Sequence, residues 1–349
     1  MCGIISVIDR ERNPMDGAAI RMALSQMNER GSGEGAGYAA YGIYPDFADY
    51  YALHVFYDNL VEPRAKVEQI LEKWGTIEHQ EEIPTSERPG LRKVHTPWRY
   101  FFRPDRTLLT GTTSPEEDII IRIINQVNTS IPGALIFSSG KNVGVFKASG
   151  WPEDVANFYR IQDYEGYIWL GHNRYPTNTP GWWGGAHPFN LLDLSVIHNG
   201  EITSYGTNRR YIESYGYQCT MKTDTEVVTY LTDLLGRRHG LPPELAVRAF
   251  APPFWDEIDR MPEPEQRLNK AIRLTYGPAL MNGPFAIVVA NSDGIAGFTD
   301  RIKLRPLVAA EAGDRLYLSS EESAIHRMEK PERVWMPRAG EPVIGRVRR

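Results

Sequence analysis

The sequence predicts an α+β fold in which two β-sheets pack between layers of helix. Three observations predict it. A β-branched run, Gly3-Ile4-Ile5-Ser6-Val7-Ile8, opens the chain; apolar segments joined by short turns close it at 285–290, 295–298, 307–310 and 315–319; helical stretches lie between. The 349 residues, 42% of them hydrophobic, can bury a large core as one elaborated domain or as two.

The opening run lacks polar alternation, so it reads as a strand covered on both faces that fixes the N-terminus in the core. Asp16 is placed to cap a helix carrying Ile20, Met22, Ala23, Leu24 and Met27, which ends at Arg30-Gly31. The glycine-rich stretch 31–37 follows a helix and precedes a strand-like segment at 38–41. A phosphate cradle needs the reverse order, so this stretch reads as a tight connection. From residue 44 come a strand at 51–57, a helix at 62–74, a strand at 76–83, a Pro/Arg/Lys-rich linker at 84–97, a strand at 98–102, a helix from Ser114 to 124 and a strand at 134–137. That is the β-α-β-β-α-β order of a ferredoxin-like insert. The last strand could equally pair through Ser139-Gly140-Lys141-Asn142 with 143–146 in the main domain. The expected organisation is a main domain of 1–43 and 166–349 interrupted by an α+β insert at 44–165.

A helix at 151–160 and a strand at 167–170 lead into the densest region, 171–188, whose Gly/Pro/Trp-rich loop after a strand end suits a lid over a pocket. A strand over 194–202 then runs into Asn199-Gly200. It is followed by a helix at 205–215 and by Thr223-Asp224-Thr225-Glu226 heading a helix over 227–235. The closing strands are antiparallel in type, with a helix at 321–327 after them.

Composition narrows the function classes. The formal charge of −5, from 39 basic and 44 acidic residues, is mild and no basic run appears, so no nucleic-acid partner is expected. No stretch approaches ~20 apolar residues and the N-terminus lacks a leader pattern, so a soluble, cytoplasmic protein with no membrane span is expected. The two cysteines, Cys2 and Cys219, make no disulfide framework, iron–sulfur site or CxxC zinc site.

A cysteine next to the initiator methionine becomes the first residue once that methionine is removed, which small residues at the second position generally permit. A thiol titrating near ~8.5 and an α-amine near ~8 then share one residue, and the amine can take the thiol's proton. The plain alternative is a small buried hydrophobe. Opening an amide with a thiolate also needs donors for the oxyanion, which the Asn199 amide and the Gly200 N–H can supply; otherwise Asn-Gly marks a hairpin turn. A free amino acid further needs a cation for its carboxylate and an anion for its ammonium. Arg174 and Asp224 are the candidates, set against a surface arginine and a helix cap.

In this order, Met1-Cys2-Gly3-Ile4, Arg174-Tyr175-Pro176-Thr177, Ala186-His187-Pro188, His198-Asn199-Gly200-Glu201-Ile202 and Thr223-Asp224-Thr225-Glu226 resemble the successive motifs of class II glutamine amidotransferases. Gly283-Pro284-Phe285-Ala286 and Leu318-Ser319-Ser320-Glu321 resemble that family's last strands, and the likeness covers the chain outside roughly 44–165. The resemblance implies an N-terminal-nucleophile α/β/β/α sandwich that hydrolyses L-glutamine to glutamate and delivers ammonia through a channel. It implies Cys2 as nucleophile with its own amine as base, and Asn199 and Gly200 as the oxyanion hole. Arg174 and Asp224 would hold the glutamine carboxylate and ammonium, with Tyr175 and Thr177 lining the lid. His187 is then structural. His172 and His198 beside it are read as hydrogen-bonded rather than as metal ligands, because the family needs no metal.

The lack of an acceptor domain departs from the phosphoribosyl- and sugar-phosphate-transferring members. The long insert, Asn178-Thr179-Pro180 after the arginine motif and Glu201-Ile202 after Asn199-Gly200 are most similar to the amidotransferase domain of glutamate synthase. That likeness implies a subunit of a split glutamate synthase, with flavin and iron–sulfur clusters on a separate synthase subunit and no cofactor in this chain. An N-methylglutamate synthase-like subunit stays open beside it, as do a non-catalytic glutamine-binding regulatory relative and an N-terminal-cysteine acylase for another amide. The intact Cys2 weighs against the regulatory relative, and Arg174 with Asp224 against the acylase.

Overall fold

The computed structural model describes residues 1–87, 90–177, 179 and 181–348. The first half of the chain runs β1 (Gly3–Asp9), β2 (Met15–Asp16), α1 (Gly17–Ser25), β3 (Ala36–Tyr41), β4 (Tyr51–Tyr57), α2 (Glu62–Trp74), β5 (Gly75–Glu82), β6 (Thr96–Pro104), α3 (Pro115–Ser130), β7 (Ala134–Ser138), β8 (Val143–Ala148) and α4 (Pro152–Phe158). Then come β9 (Glu165–Gly166), β10 (Ile168–Asn173), β11 (Phe189–Leu191), β12 (Leu194–Gly200), α5 (Tyr205–Glu213), α6 (Asp224–Asp233), α7 (Pro243–Phe250), α8 (Trp255–Asp259) and α9 (Glu263–Thr275). The chain closes with β13 (Phe285–Asn291), β14 (Gly294–Thr299), β15 (Val308–Ala312), β16 (Arg315–Ser319), α10 (Glu322–Met328), β17 (Arg333–Trp335) and β18 (Val343–Arg346).

Seven strands form one sheet in the order β17-β15-β16-β1-β10-β3-β8, and five form a second in the order β11-β12-β13-β14-β18. Side-chain alternation shows how they stack. Ile197, Ala286, Val288 and Ala290 of the second sheet join the apolar cluster that holds the first sheet. Their neighbours Val196, Phe285 and Ile287 point the other way, into a cluster with Val227, Val228 and Leu231 of α6 and Val247 and Phe250 of α7. On the far side of the first sheet, Ile20, Ala23 and Leu24 of α1 and Ala324 and Ile325 of α10 are buried in the same core. The layers are thus helix, sheet, sheet, helix, as expected of an α/β/β/α sandwich. β1 is the central strand of the seven and is buried at every position, which is why its residues are apolar without alternation.

Besides the two-stranded pair β2-β9, a four-stranded sheet has the order β5-β6-β4-β7, all antiparallel, with α2 and α3 as its connections. This is the ferredoxin-like arrangement. Buried Ile119, Ile120, Ile123, Ile124 and Val127 give α3 the stripe that packs it down. The pairing left open in the sequence divides at residue 139. Ala134–Ser138 stays with the insert beside β4, whereas Val143–Ala148 crosses over and pairs with β3 in the seven-stranded sheet. The separate sheet therefore spans residues 51–138, inside the expected 44–165, and 143–165 pack with the main sandwich.

Local signals translate closely. Asp16 caps α1 by accepting the Ala18 N–H at 3.0 Å, but the helix stops at Ser25 and a short 3-10 turn, Asn28–Arg30, carries the chain to Gly31. α6 starts at Asp224 rather than 227, because the Thr223 hydroxyl accepts the Glu226 N–H at 3.2 Å. Asn199-Gly200 is not a hairpin turn: both residues lie in β12, paired with Ala286 and Phe285 of β13. Among the described residues no helix is long and apolar enough to cross a membrane.

Candidate active site

Cys2 directly precedes β1, and the start of that strand is clamped on both sides. Gly3 pairs with Asn173 of β10; the Ile4 N–H donates to Ser320 Oγ at 3.0 Å, and the Ile4 carbonyl accepts the Ser320 N–H at 3.0 Å. Arg30 adds a third restraint, its Nε–H reaching the Cys2 carbonyl at 3.2 Å while Nη1 pairs with Glu321 at 3.0 Å. The buried Cys2 Sγ accepts the N–H of Tyr175 at 3.3 Å. Burial pushes this thiol up, against the downward pull of the Tyr175 N–H, the terminal amine and Arg174. A thiol so raised needs a proton acceptor before it can attack. The terminal amine, here that of Met1, is lowered by burial, with Cys2 acting upward and Arg30 and Arg305 downward.

Arg174 follows the end of β10. Its N–H donates to the Gly35 carbonyl at 2.8 Å and its carbonyl accepts the Ser32 N–H at 3.2 Å, so the glycine-rich connection 31–37 is the backbone rest for this arginine. Gly35 allows the fit, since a Cβ there would come within 3.2 Å of Ala186 Cβ and 3.3 Å of Arg174 Cδ. The buried guanidinium donates from Nη2 to Thr179 Oγ1 at 2.5 Å. Burial lowers its pKa, and Cys2, Glu34 and Asp224 act in the other direction. Cys2, Arg174 and Asp224 therefore share one electrostatic neighbourhood, although 50 residues or more separate them pairwise.

Asp224 is the first residue of α6. Its Oδ2 accepts the Ile202 N–H at 3.0 Å, its Oδ1 lies 3.3 Å from Thr225 Oγ1, and His198 Nδ1 is 3.6 Å away. Burial alone would raise this carboxyl, but His198 and the bonds from Ile202 and Thr225 together hold it below its ordinary value. Asn199 is fully buried, and neither its Nδ2 nor its Oδ1 has a hydrogen-bond partner among the described residues. A buried amide left so costs stability, which is the mark of a group kept for something other than folding. Thr177 is further out, donating to Glu201 Oε2 at 2.6 Å, and the Tyr175 ring is exposed. Of the loop expected to act as a lid, Asn178 and Pro180 lie outside the described residues. Its far end is anchored. Trp183 is buried, its indole N–H donating to the Arg92 carbonyl at 2.7 Å and its ring packing edge-on against Phe56 and His95.

Gly200 explains itself by backbone geometry. Its φ is +137°, and a Cβ would fall 1.9 Å from the Pro284 carbonyl oxygen. Gly200→Ala is expected to destabilise the protein by about 3 kcal/mol or more, through strain and overlap together. Urea unfolding checks this, and a midpoint within error of wild type would contradict the backbone reading.

Three buried imidazoles converge behind Asp224. His172 and His187 stack with centroids 4.0 Å apart, His172 Nε2 donates to the His198 carbonyl at 2.9 Å, and His187 Nε2 and His198 Nδ1 lie 2.6 Å and 3.2 Å from Thr225 Oγ1. Their partners are hydroxyl and carbonyl oxygens. Among the described residues no three His, Cys, Asp or Glu groups converge as metal ligands. Thr225 itself escaped the sequence reading, because its place inside Thr223-Asp224-Thr225-Glu226 looks like a helix cap. Lys147 did too. It is fully buried, donates to the Gly184 carbonyl at 3.0 Å and is pulled down to about 7 by burial and by Arg174. A signal was present, since Val143, Val145 and Lys147 fall on one face of a strand and a lysine there stands out.

A two-sheet sandwich with a buried cysteine at the head of its central strand has the architecture of the N-terminal-nucleophile amidotransferases. Among solved structures, that of the allosteric regulatory enzyme of purine biosynthesis matches 98% of this chain and 46% of its own at a TM-score of 0.50 and 15% identity, a likeness of fold. Residues 121–338 match the family of class-II glutamine amidotransferases, and the chain belongs to that family. It is 48% identical over 99% of its length to an uncharacterized protein of Archaeoglobus fulgidus, covering 92% of that protein. It is also 24% identical to a putative glutamine amidotransferase of Methanothermobacter thermautotrophicus, over 94% of each chain.

Proposed function

We propose that this chain hydrolyses L-glutamine to L-glutamate and ammonia through a thioester on Cys2, and passes the ammonia to a separate synthase subunit. The observation that carries the reading is the Cys2 thiol, buried beside Arg174 and Asp224 and receiving the Tyr175 N–H. The α-amine of Cys2, freed by methionine removal, takes the thiol proton as Sγ attacks the side-chain amide carbon of glutamine. The amide oxygen becomes an oxyanion held by Asn199 Nδ2 and the Gly200 N–H. The C–N bond then breaks, the ammonium formed on Cys2 returns its proton to the leaving nitrogen, and ammonia departs. Water, deprotonated by the same amine, opens the thioester to give glutamate and the free thiol. Arg174 pairs with the substrate carboxylate and Asp224 with its ammonium, while Tyr175 and Thr177 cover the site.

The partner we infer is a synthase subunit of the glutamate synthase type, carrying the flavin and iron–sulfur clusters, in the cytoplasm. Support for coupling comes from Trp183. It ties the segment that begins at Arg174 to Phe56, Arg92 and His95, and His95 is itself held by Asp58 at 2.8 Å. A partner seated on the insert can thus act on the arginine segment through Trp183.

The test is turnover of free glutamine against N-acyl amides, with glutamate and ammonia counted together, followed by labelling with a glutamine-analogue electrophile. Equal release of glutamate and ammonia from free glutamine and label on Cys2 are expected. Cys219 should be spared, because burial and the neighbouring Glu226 and Glu213 push its thiol up to about 12. Preference for N-acyl amides, or stoichiometric label on Cys219, would replace this reading with another acylase. A protein that copurifies from the native cell and raises the glutaminase rate would identify the acceptor. A rate indifferent to any such protein removes the coupling.

A further inference from the structure

We propose that Thr225 is a positioning residue for recognition of the substrate's ammonium: its hydroxyl gathers the N–H groups of His187 and His198 and turns its own proton to Asp224, fixing that carboxylate in its receiving orientation. This rests on the reading that Asp224 holds the α-ammonium of glutamine.

The hydrogens can be counted. His172 Nε2 lies 2.9 Å from the His198 carbonyl oxygen, which can only accept, so the His172 hydrogen sits on Nε2. Around the fully buried Thr225 Oγ1 stand His187 Nε2 at 2.6 Å, His198 Nδ1 at 3.2 Å and Asp224 Oδ1 at 3.3 Å. A hydroxyl offers one proton and two lone pairs. If that proton went to His187, the ring's own hydrogen would sit on Nδ1; if it went to His198, that ring's hydrogen would sit on Nε2. Both of those nitrogens are buried with no partner among the described residues. An orphaned buried N–H is rarer than an orphaned lone pair. One arrangement leaves no such N–H among the described residues: both rings donate to Thr225, and Thr225 donates to Asp224.

The charge state agrees. Burial, then the neighbouring His172, hold His187 well below its ordinary value, so it is a neutral ring with a single hydrogen. The other oxygen of Asp224 is pinned by the Ile202 N–H at 3.0 Å. With one oxygen on the β12 exit and the other on Thr225, the carboxylate cannot rotate without breaking a bond. A fifth of its side chain, 21%, remains accessible.

The experiment compares two substrates, glutamine and glutaramate, which is glutamine without its α-amino group, on the full-length protein. Thr225→Val keeps the shape and removes the hydroxyl. It is expected to raise the KM for glutamine ~10-fold or more, leave kcat within about threefold, and change the KM for glutaramate less than about twofold. Thr225→Ser should restore the glutamine KM. Should the valine protein not fold, Thr225→Ala carries the same expectation. An equal KM rise for both substrates, a loss confined to kcat, or no change would overturn the proposal. Asp224→Asn separates the two levels. If it abolishes the preference for glutamine over glutaramate while Thr225→Val keeps it, Thr225 has no such role. If Asp224→Asn leaves the preference intact, the reading of Asp224 fails and the inference fails with it.

Discussion

Cys2→Ala protein is expected to lose glutamine hydrolysis by ~10⁴-fold or more while unfolding within about 1 kcal/mol of wild type. The two halves of this expectation have separate causes. The backbone around residue 2 is held by Arg30, Ser320 and the β1–β10 pairing, none of which involves the thiol. What alanine removes is Sγ, which accepts the Tyr175 N–H at 3.3 Å and donates to the Tyr175 carbonyl at 3.8 Å. Sulfur accepts weakly, so the fold loses little. The chemistry loses its nucleophile. A companion expectation concerns pH. The thiol is raised by burial, so the active pair is a neutral Cys2 amine beside a protonated thiol. Below its pKa the Cys2 amine is protonated and cannot accept, so the rate should climb with pH to a plateau as that amine loses its proton, the ordinary value of an α-amine being ~8. Intact mass of the active protein should show the chain starting at Cys2. Full activity with Met1 retained would sink the amine as base, and full activity of Cys2→Ala would sink the site.

Much of this was legible because the signals are local. β1 announces itself by an unbroken apolar run, Asp16 and Thr223 by their capping positions, and α3 by isoleucines at helical spacing. Other features were decided by partners far along the chain. Asn199-Gly200 has the composition of a hairpin, yet pairing with β13 holds both residues in a strand, and the positive φ that makes glycine necessary serves close approach to Pro284 instead of a turn. Val143–Ala148 could belong to either sheet by its own residues. Only the presence of β3 alongside decides it. Residues 255–275 went unread because α8 buries only Ile258 and α9 only Asn269 and Ile272, which leaves hardly any apolar stripe to see, whereas α7 just before them does carry one in Ala246, Val247, Ala249 and Phe250. At the site, residue types pointed to Cys2, Arg174 and Asp224, which do share one neighbourhood. Thr225 was hidden because a hydroxyl that joins two imidazoles to a carboxylate is defined by distances between β12, the segment just before β11 and α6, not by any spacing in the chain.

Asn199→Ala is expected to lower kcat by about 10²- to 10³-fold with little change in KM, while stability stays within about 1 kcal/mol of wild type or rises. The combination follows from the two unpartnered atoms of this fully buried amide. Removing a buried polar group that bonds to something leaves that partner stranded, and the fold suffers. Here Nδ2 and Oδ1 bond to nothing among the described residues, so truncation strands no group and takes away a desolvated amide. The loss of packing from a side chain of this size works against that gain, and the two are of similar magnitude. In catalysis the balance is different. The oxyanion develops only as Cys2 attacks, so a donor that meets it contributes to the transition state and not to the bound substrate, which places the effect in kcat. Steady-state kinetics with urea unfolding on the same preparation decides the matter. A protein weakened by several kcal/mol with kcat preserved would show Asn199 to be a structural residue of β12, and the oxyanion would have to be met elsewhere.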